Sequence, residues 1–204
     1  MKKAKNTRET ILQEALDMAS HLGLESITIG QLALRLKMSK SGLFAHFQSK
    51  ENLQLAILSH AASDFKYYVL LPALATEAGI PRIKKLVNNW IGWGERLTGG
   101  CIFVNASIEY SERKGKIHDF VLFLQEEWID SLVKIAESAI RTGDFEKDID
   151  TKQFAYELYS MLLGFHYYHR MLKDKDIRIR QEKALDRLIR NYQVAKEQVY
   201  PKSP

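Results

Sequence analysis

Two short segments with helical periodicity, separated by only three residues near the N-terminus, constrain the fold more than any other feature of the chain. Ile29, Leu32, Ala33 and Leu36 fall at i, i+3, i+4 and i+7, the stripe of an amphipathic helix with Thr28 as its cap. Lys37, Met38 and Ser39 form the turn into a second short helix, about Lys40 to Phe47, capped by Ser39. Ahead of both, a helix capped at Asn6 or Thr7 and closed by Gly23 carries Ile11, Leu12, Ala15, Leu16, Ala19 and Leu22 on one face. Three such helices within about 45 residues make the helix-turn-helix geometry. Small Ala33 allows the last two to approach closely, and Leu36, Met38 and Leu43 close the apolar wedge between them.

The rest of the chain keeps a period near 3.6 with no sustained alternation of period 2, which predicts an all-α protein. Ser49 caps a long fourth helix running toward Leu71 and Pro72, a rigid link to the remainder of the chain. Five further helices are expected near residues 81–97, 101–113, 116–142, 151–173 and 176–199, punctuated by Gly99, Gly100, Gly115 and Gly143. The division this implies is a three-helix domain over residues 1–50 and a larger helical domain over residues 51–204.

Charge is concentrated in the first of these. Of a formal net charge of +5, residues 1–50 hold +4, so the positive field sits at one end, as binding to phosphate requires. Lys2, Lys3, Lys5 and Arg8 form a basic arm able to follow a nucleic-acid backbone or enter a minor groove. The single cysteine, Cys101, excludes an intramolecular disulfide and suits a reducing compartment; a redox role for it stays open. No apolar run approaches the roughly 20 residues needed to span a bilayer, and a cytoplasmic location is expected.

The stretch ITIGQLALRLKMSKSGLFAHFQSKENL, Ile27 to Leu53, closely resembles the DNA-binding signature of TetR regulators, and the likeness extends over residues 6 to about 60. A weaker likeness to the effector domain of one TetR subgroup runs through GGCIFVNASIEYSERKGKIHDF, Gly99 to Phe120, and through Asp148 to Phe165. The resemblance implies a third helix entering the major groove, with Lys40, Ser41, Gly42, Phe44 and His46 facing DNA. Lys40 reaches a phosphate or a guanine edge, Ser41 donates to either, and Gly42 lets the backbone come close. Thr28 and Lys50, at the starts of their helices, are expected to position phosphates. The chain departs from the family in having Lys37 where glycine is usual and Phe44 where tyrosine is usual, which removes a phosphate-bonding hydroxyl.

In the larger domain, Leu185, Leu188, Tyr192 and Ala195 make a narrow seam on the last helix, and the helix before it presents Phe154, Ala155, Leu158, Tyr159, Leu162, Phe165 and His166. Together they predict a homodimer through the last two helices, an arrangement the TetR resemblance also implies. Aromatic residues are dense enough to predict an apolar cavity for a small hydrophobic or aromatic effector, lined by Trp90, Trp93, Phe103, Glu109, Phe123 and Trp128, with Asn89, Asn105 and His118 as further polar candidates. The functional expectation is a ligand-responsive transcriptional regulator, a repressor released from a palindromic operator, with no cofactor, metal or catalytic residue. The alternatives are an activator of the same fold, a protein that coats DNA irrespective of sequence, and a helical metal-dependent enzyme using His166 and His169. No metal-protease, paired-cysteine, phosphate-loop or nucleophile-elbow pattern supports the enzyme.

Overall fold

The computed structural model describes residues 2–195, with side chains described from residue 7 onward. Helix α1 spans Lys2–Leu22, starting before the expected cap at Asn6 or Thr7. Ile11, Leu12, Ala15, Leu16 and Ala19 are buried, while Leu22, the last member of the expected stripe, is half exposed. Gly23, at φ +88, takes the left-handed conformation that stops the helix, its N–H returning to the Ala19 carbonyl. The side chains of Lys2, Lys3 and Lys5, three members of the expected basic arm, lie outside the described residues. The fourth, Arg8, holds its guanidinium over the Phe47 ring.

Helix α2 (Ile29–Leu36) begins with a reciprocal capping box, in which Thr28 Oγ1 accepts from the Gln31 N–H and the Gln31 side chain accepts from the Thr28 N–H. It ends at Lys37, which adopts the left-handed conformation at φ 54 while the Met38 N–H reaches back to the Ala33 carbonyl. A lysine there costs about 1 kcal/mol relative to glycine. Helix α3 (Lys40–Phe47) is capped by Ser39 and buries Leu43 and Phe47. The helix packs against α2 and the start of the next helix, with Arg8 of α1 over Phe47, and its opposite face is left to solvent.

Helix α4 starts at Lys50 under a Ser49 cap and continues as one rod to Leu74: regular over Lys50–Phe65, a π-turn over Lys66–Leu70, and a closing turn over Leu71–Leu74 that contains Pro72. The proline that was expected to end the helix is absorbed. The wider turn directly before it changes the hydrogen-bond register, with the Leu71 N–H bonded to the Lys66 carbonyl. Asn89 Nδ2 donates to the Val69 carbonyl within the same segment.

Helices α5 (Ile80–Arg96), α6 (Ile102–Tyr110), α7 (Lys116–Arg141), α8 (Thr151–Arg170) and α9 (Ile177–Tyr192) complete the larger part of the fold. Helix α7 packs between α6 and α8 and also touches α4 and α5, and α9 lies along α8. The last helix is shorter than the expected 176–199. After Tyr192 the chain turns extended, and Phe145 and Gln193 form an isolated antiparallel bridge flanked by Glu146 N–H to Tyr192 O and Val194 N–H to Asp144 O. Phe145, Phe154 and Tyr192 pack ring on ring beneath it. Residues 196–199, part of the helix as expected, lie outside the described residues.

The expected dimer seam is corrected by this packing. Leu185 and Leu188 are 6% and 8% exposed within the single chain and belong to its own core. Tyr192 is held by the aromatic trio, and Ala195 lies beyond the helix.

Candidate DNA-reading head and effector cavity

Burial of Leu43 and Phe47 leaves Lys40, Ser41 and Phe44 on the outer surface of α3, with Gly42 and His46 half-buried at its edges. The Lys40 side chain lies beside Gly30, close to the N-terminus of α2, so its ammonium and the positive end of that helix share one side of the head. Gly42 donates its backbone N–H to the Ser39 hydroxyl, and Ser41 Oγ is 3.3 Å from Ser39 Oγ. Phe44 is 53% exposed with no ring partner among the described residues, an orientation in which its apolar face is free to meet a thymine methyl. The Thr28 hydroxyl is occupied locally, accepting from the Gln31 backbone and lying 3.1 Å from Gln31 Oε1. That bonding fixes the start of α2.

Lys50, expected to position a phosphate, is ion-paired within the chain. Its Nζ lies 2.6 Å from Glu25 Oε1, with both side chains about two-fifths exposed. Glu25 is the centre of a clasp that also takes Tyr110 Oη at 2.8 Å, Gln54 Nε2 at 3.2 Å and Arg113 at 3.5 Å. The Lys50 ammonium, aided by Tyr110 and Gln54 and opposed by burial, holds the Glu25 carboxyl down at about 2, so Glu25 is ionised throughout the neutral range. Burial and then the bond to Glu25 push the Tyr110 phenol up, and it stays a donor.

The cavity lies between α4, α5, α7 and α8, with Cys101 and Phe103 at the start of α6, and has a volume of about 200 Å³. Trp90, Phe103, Phe123 and Trp128 all line it, joined by Ala62, Phe65, Lys66 and Leu70 of α4, by Leu124, Gln125, Glu127 and Ser131 of α7, and by Tyr159 of α8. Phe65 stands edge-on to Trp93, Phe103 and Trp128 at 5.1 to 5.7 Å between centroids, the favourable T-shaped geometry. Inside the wall, Tyr159 Oη donates to Gln125 Oε1 at 2.6 Å and Gln125 Nε2 donates to the Phe103 carbonyl at 3.0 Å.

Two of the residues expected to line the cavity lie elsewhere. Trp93 sits behind the wall, stacked on Phe103. Glu109 is turned the other way along α6, its two carboxylate oxygens accepting the backbone N–H groups of Leu24 and Glu25 at 2.8 and 2.9 Å. The further polar candidates are likewise engaged outside the cavity: Asn89 with Val69 O, Asn105 with Ser20 O and Gly99 O, and His118 with Asp119. Cys101 is fully enclosed and burial pushes its thiol up, the surroundings of an unreactive cysteine. His166 packs beside Gly100 and Arg170, while His169 stacks on Phe165. Among the described residues no group of three or more His, Cys, Asp or Glu side chains could hold a metal ion. No helix among them is long and apolar enough to cross a membrane.

The clasp and the Gln125–Tyr159 pair were invisible to sequence reasoning because each is a polar contact between residues far apart in the chain. Gln125 did leave a signal: it is a lone amide beside the apolar run Phe120–Leu124, where a core helix face offers no reason for one.

An outward-facing α3 on a three-helix head, joined to a helical body with an apolar cavity, is the architecture of a helix-turn-helix regulator. The family model described as "Bacterial regulatory proteins, tetR family" matches residues 11–57, and that described as "Tetracyclin repressor-like, C-terminal domain" matches residues 79–185, more than half the chain. The chain belongs to the TetR family and is a DNA-binding transcriptional regulator. No curated protein matches it. Among solved structures, a TetR transcriptional regulator from Chloroflexus aurantiacus superimposes with a TM-score of 0.83 at 22% identity, covering 96% of this chain and 100% of that one. A TetR-family regulator from Cytophaga hutchinsonii gives 0.82 at 20% identity, covering 96% and 99%. The regulator AibR, solved with isovaleryl coenzyme A and operator DNA, gives 0.66 at 20% identity, covering 90% and 98%. At these identities the likeness is one of fold.

Proposed function

We propose that this chain is a homodimeric repressor that grips a palindromic operator with α3 of each protomer and releases it when a small apolar molecule enters the cavity. Residues 1–50 serve as the reading head and residues 51–204 bind effector and partner. The observation that carries the reading is the placement of α6. Its start, Cys101 and Phe103, is cavity wall, and its last turn, Glu109 and Tyr110, holds the loop between α1 and α2. A nine-residue helix is roughly 13 Å of rigid rod, so a ligand that displaces one end moves the other. Thr98, Gly99 and Asn105 add bonds from the same region to Asp17 and Ser20 of α1. The rod α4 supplies a second connection, from the cavity residues Ala62, Phe65 and Lys66 to the head itself.

The effect of a ligand equals the ratio of its affinities for the two head arrangements, and a hundredfold loss of operator affinity needs about 2.7 kcal/mol of difference. The presence of operator DNA and of isovaleryl coenzyme A in the AibR complex supports ligand control on this fold without indicating the ligand here.

The homodimer is supported by a stripe along the outer face of α8 and its C-terminal cap residue Met171. Tyr156, Leu163, Tyr167 and Met171 recur at intervals of seven, four and four and are all exposed, Tyr156 by 69% and Met171 by 70%. Ile179 of α9 is exposed as well. An isologous pairing of α8 and α9 with their copies would cover this stripe.

Lys40→Ala tests the reading-head assignment. Loss of a base contact is expected to cost about 1–3 kcal/mol and to relax preference at one position of each half-site, measured by fluorescence anisotropy on the operator and its single-base variants. An unchanged affinity and unchanged preference would remove Lys40 from the interface.

A further inference from the structure

The chemistry of the cavity wall narrows the effector beyond its being apolar. Trp128 is nine-tenths buried, forms part of the wall, and its indole N–H has no hydrogen-bond partner among the described residues. Buried donors are almost always satisfied, and an orphan one in the wall of a cavity marks the place where an acceptor is missing. Gln125, with Oε1 taken by Tyr159 and one amide hydrogen by Phe103 O, has a second amide hydrogen to spare. Among the described residues the interior is also uncharged. Its titratable groups are the Tyr159 phenol and the Cys101 thiol, both kept in their neutral forms by burial. The charged residues of the lining, Lys66 and Glu127, are exposed at the rim and opposite in sign, so neither sign of ligand is favoured on entry. An ionised group carried inward would lose its water without gaining a counter-charge.

We infer that the cavity takes a neutral aromatic molecule bearing a hydrogen-bond-accepting oxygen, such as an aryl ketone, whose oxygen is received by Trp128 Nε1–H with Gln125 alongside. The ring lies among Phe65, Phe103 and Trp90, where offset and edge contacts are available. This rests on the effector-cavity reading and adds to it the charge and the polar handle of the ligand. A site built to hydrogen-bond a ligand discriminates strongly against an analogue that lacks the group, because its own buried donor is then left unpaired.

Three probes of nearly the same shape separate the possibilities: acetophenone, ethylbenzene, which lacks the oxygen, and benzoate, which carries a charge. Equilibrium dialysis against the full chain is expected to show acetophenone bound at least tenfold more tightly than either of the others. In nitrogen-15 spectra the Trp128 indole N–H resonance is expected to move downfield with acetophenone and not with ethylbenzene. Trp128→Phe keeps an aromatic ring and removes the donor, and should bring the preference for acetophenone over ethylbenzene toward one. Equal binding of acetophenone and ethylbenzene overturns the acceptor inference and leaves the cavity in place. Tighter binding of benzoate overturns the neutral interior. Failure of all three to bind overturns the effector-cavity reading itself. If Trp128→Phe does not fold, the wild-type resonance and the three affinities decide the matter alone.

Discussion

The double variant Leu163→Glu/Tyr167→Glu is expected to be a folded monomer whose affinity for operator DNA is at least a hundredfold below wild type. Both side chains lie on the exposed face of α8, so neither substitution disturbs the core of the protomer. In a dimer each would place two carboxylates, one from each copy, in a closed apolar seam, and unpaired charge buried in this way is strongly unfavourable. Operator affinity falls because a single head must bind without the effective concentration its tethered twin supplies, a factor of about 10²–10⁴. Sedimentation equilibrium and operator titration on the same samples check both halves. A dimer of unchanged strength places the interface elsewhere. Leu185→Glu or Leu188→Glu would be a poor substitute, because those residues fill the protomer's own core and their loss unfolds the chain before it separates the copies.

Gly99→Ala is expected to be the most destabilising single methyl that can be added among the described glycines. A Cβ at Gly99 would lie 1.7 Å from the Ser20 carbonyl oxygen and 2.0 Å from its carbon, both backbone atoms of α1 that cannot rotate away. The loop before α6 must therefore part from α1, straining the Gly99 N–H to Ser20 Oγ and Thr98 to Asp17 bonds. Overpacking of this kind costs about 3 kcal/mol, or roughly 6–12 °C in Tm for a chain of this size. Gly92→Ala is the internal control: none of the described residues has an atom within 4 Å of its would-be Cβ, it sits inside α5, and alanine there is expected to stabilise by about 0.5–1 kcal/mol. Calorimetry that finds the two variants equal in stability would contradict the close packing of the junction. Because Gly99 sits where cavity and head meet, any Gly99→Ala protein that folds should also respond less to effector than Gly92→Ala does.

The helical elements were legible in the sequence wherever local chemistry decides them. Thr28, Ser39 and Ser49 cap the helices they were expected to cap, and the stripe Ile11 to Ala19 faces inward as its spacing predicts. The failures share one cause, since each depends on what a residue meets across the fold. Trp93 reads as cavity lining until it is found behind the wall, stacked on Phe103. Glu109 reads as a polar group in an aromatic pocket until α6 is seen to present it to the α1–α2 loop, on the side away from Phe103. The periodic stripe Leu185, Leu188, Tyr192 signals burial correctly but not whose surface does the burying, a choice that a heptad cannot encode when α8 of the same chain is at hand. Pro72 shows the converse, a strong local stop signal overridden by a π-turn that the preceding residues gave no sign of.

Whether two copies of α3 read a two-fold-symmetric DNA site is decided by selecting bound duplexes from a pool of random sequence and reading what is enriched. Paired heads should enrich an inverted repeat whose half-sites are centred about one helical turn, 34–36 Å, or a multiple of it apart. Lys40→Ala should enrich the same repeat with one position per half-site relaxed. A pool left unenriched, or enriched in a single asymmetric site, would contradict two-fold reading by α3.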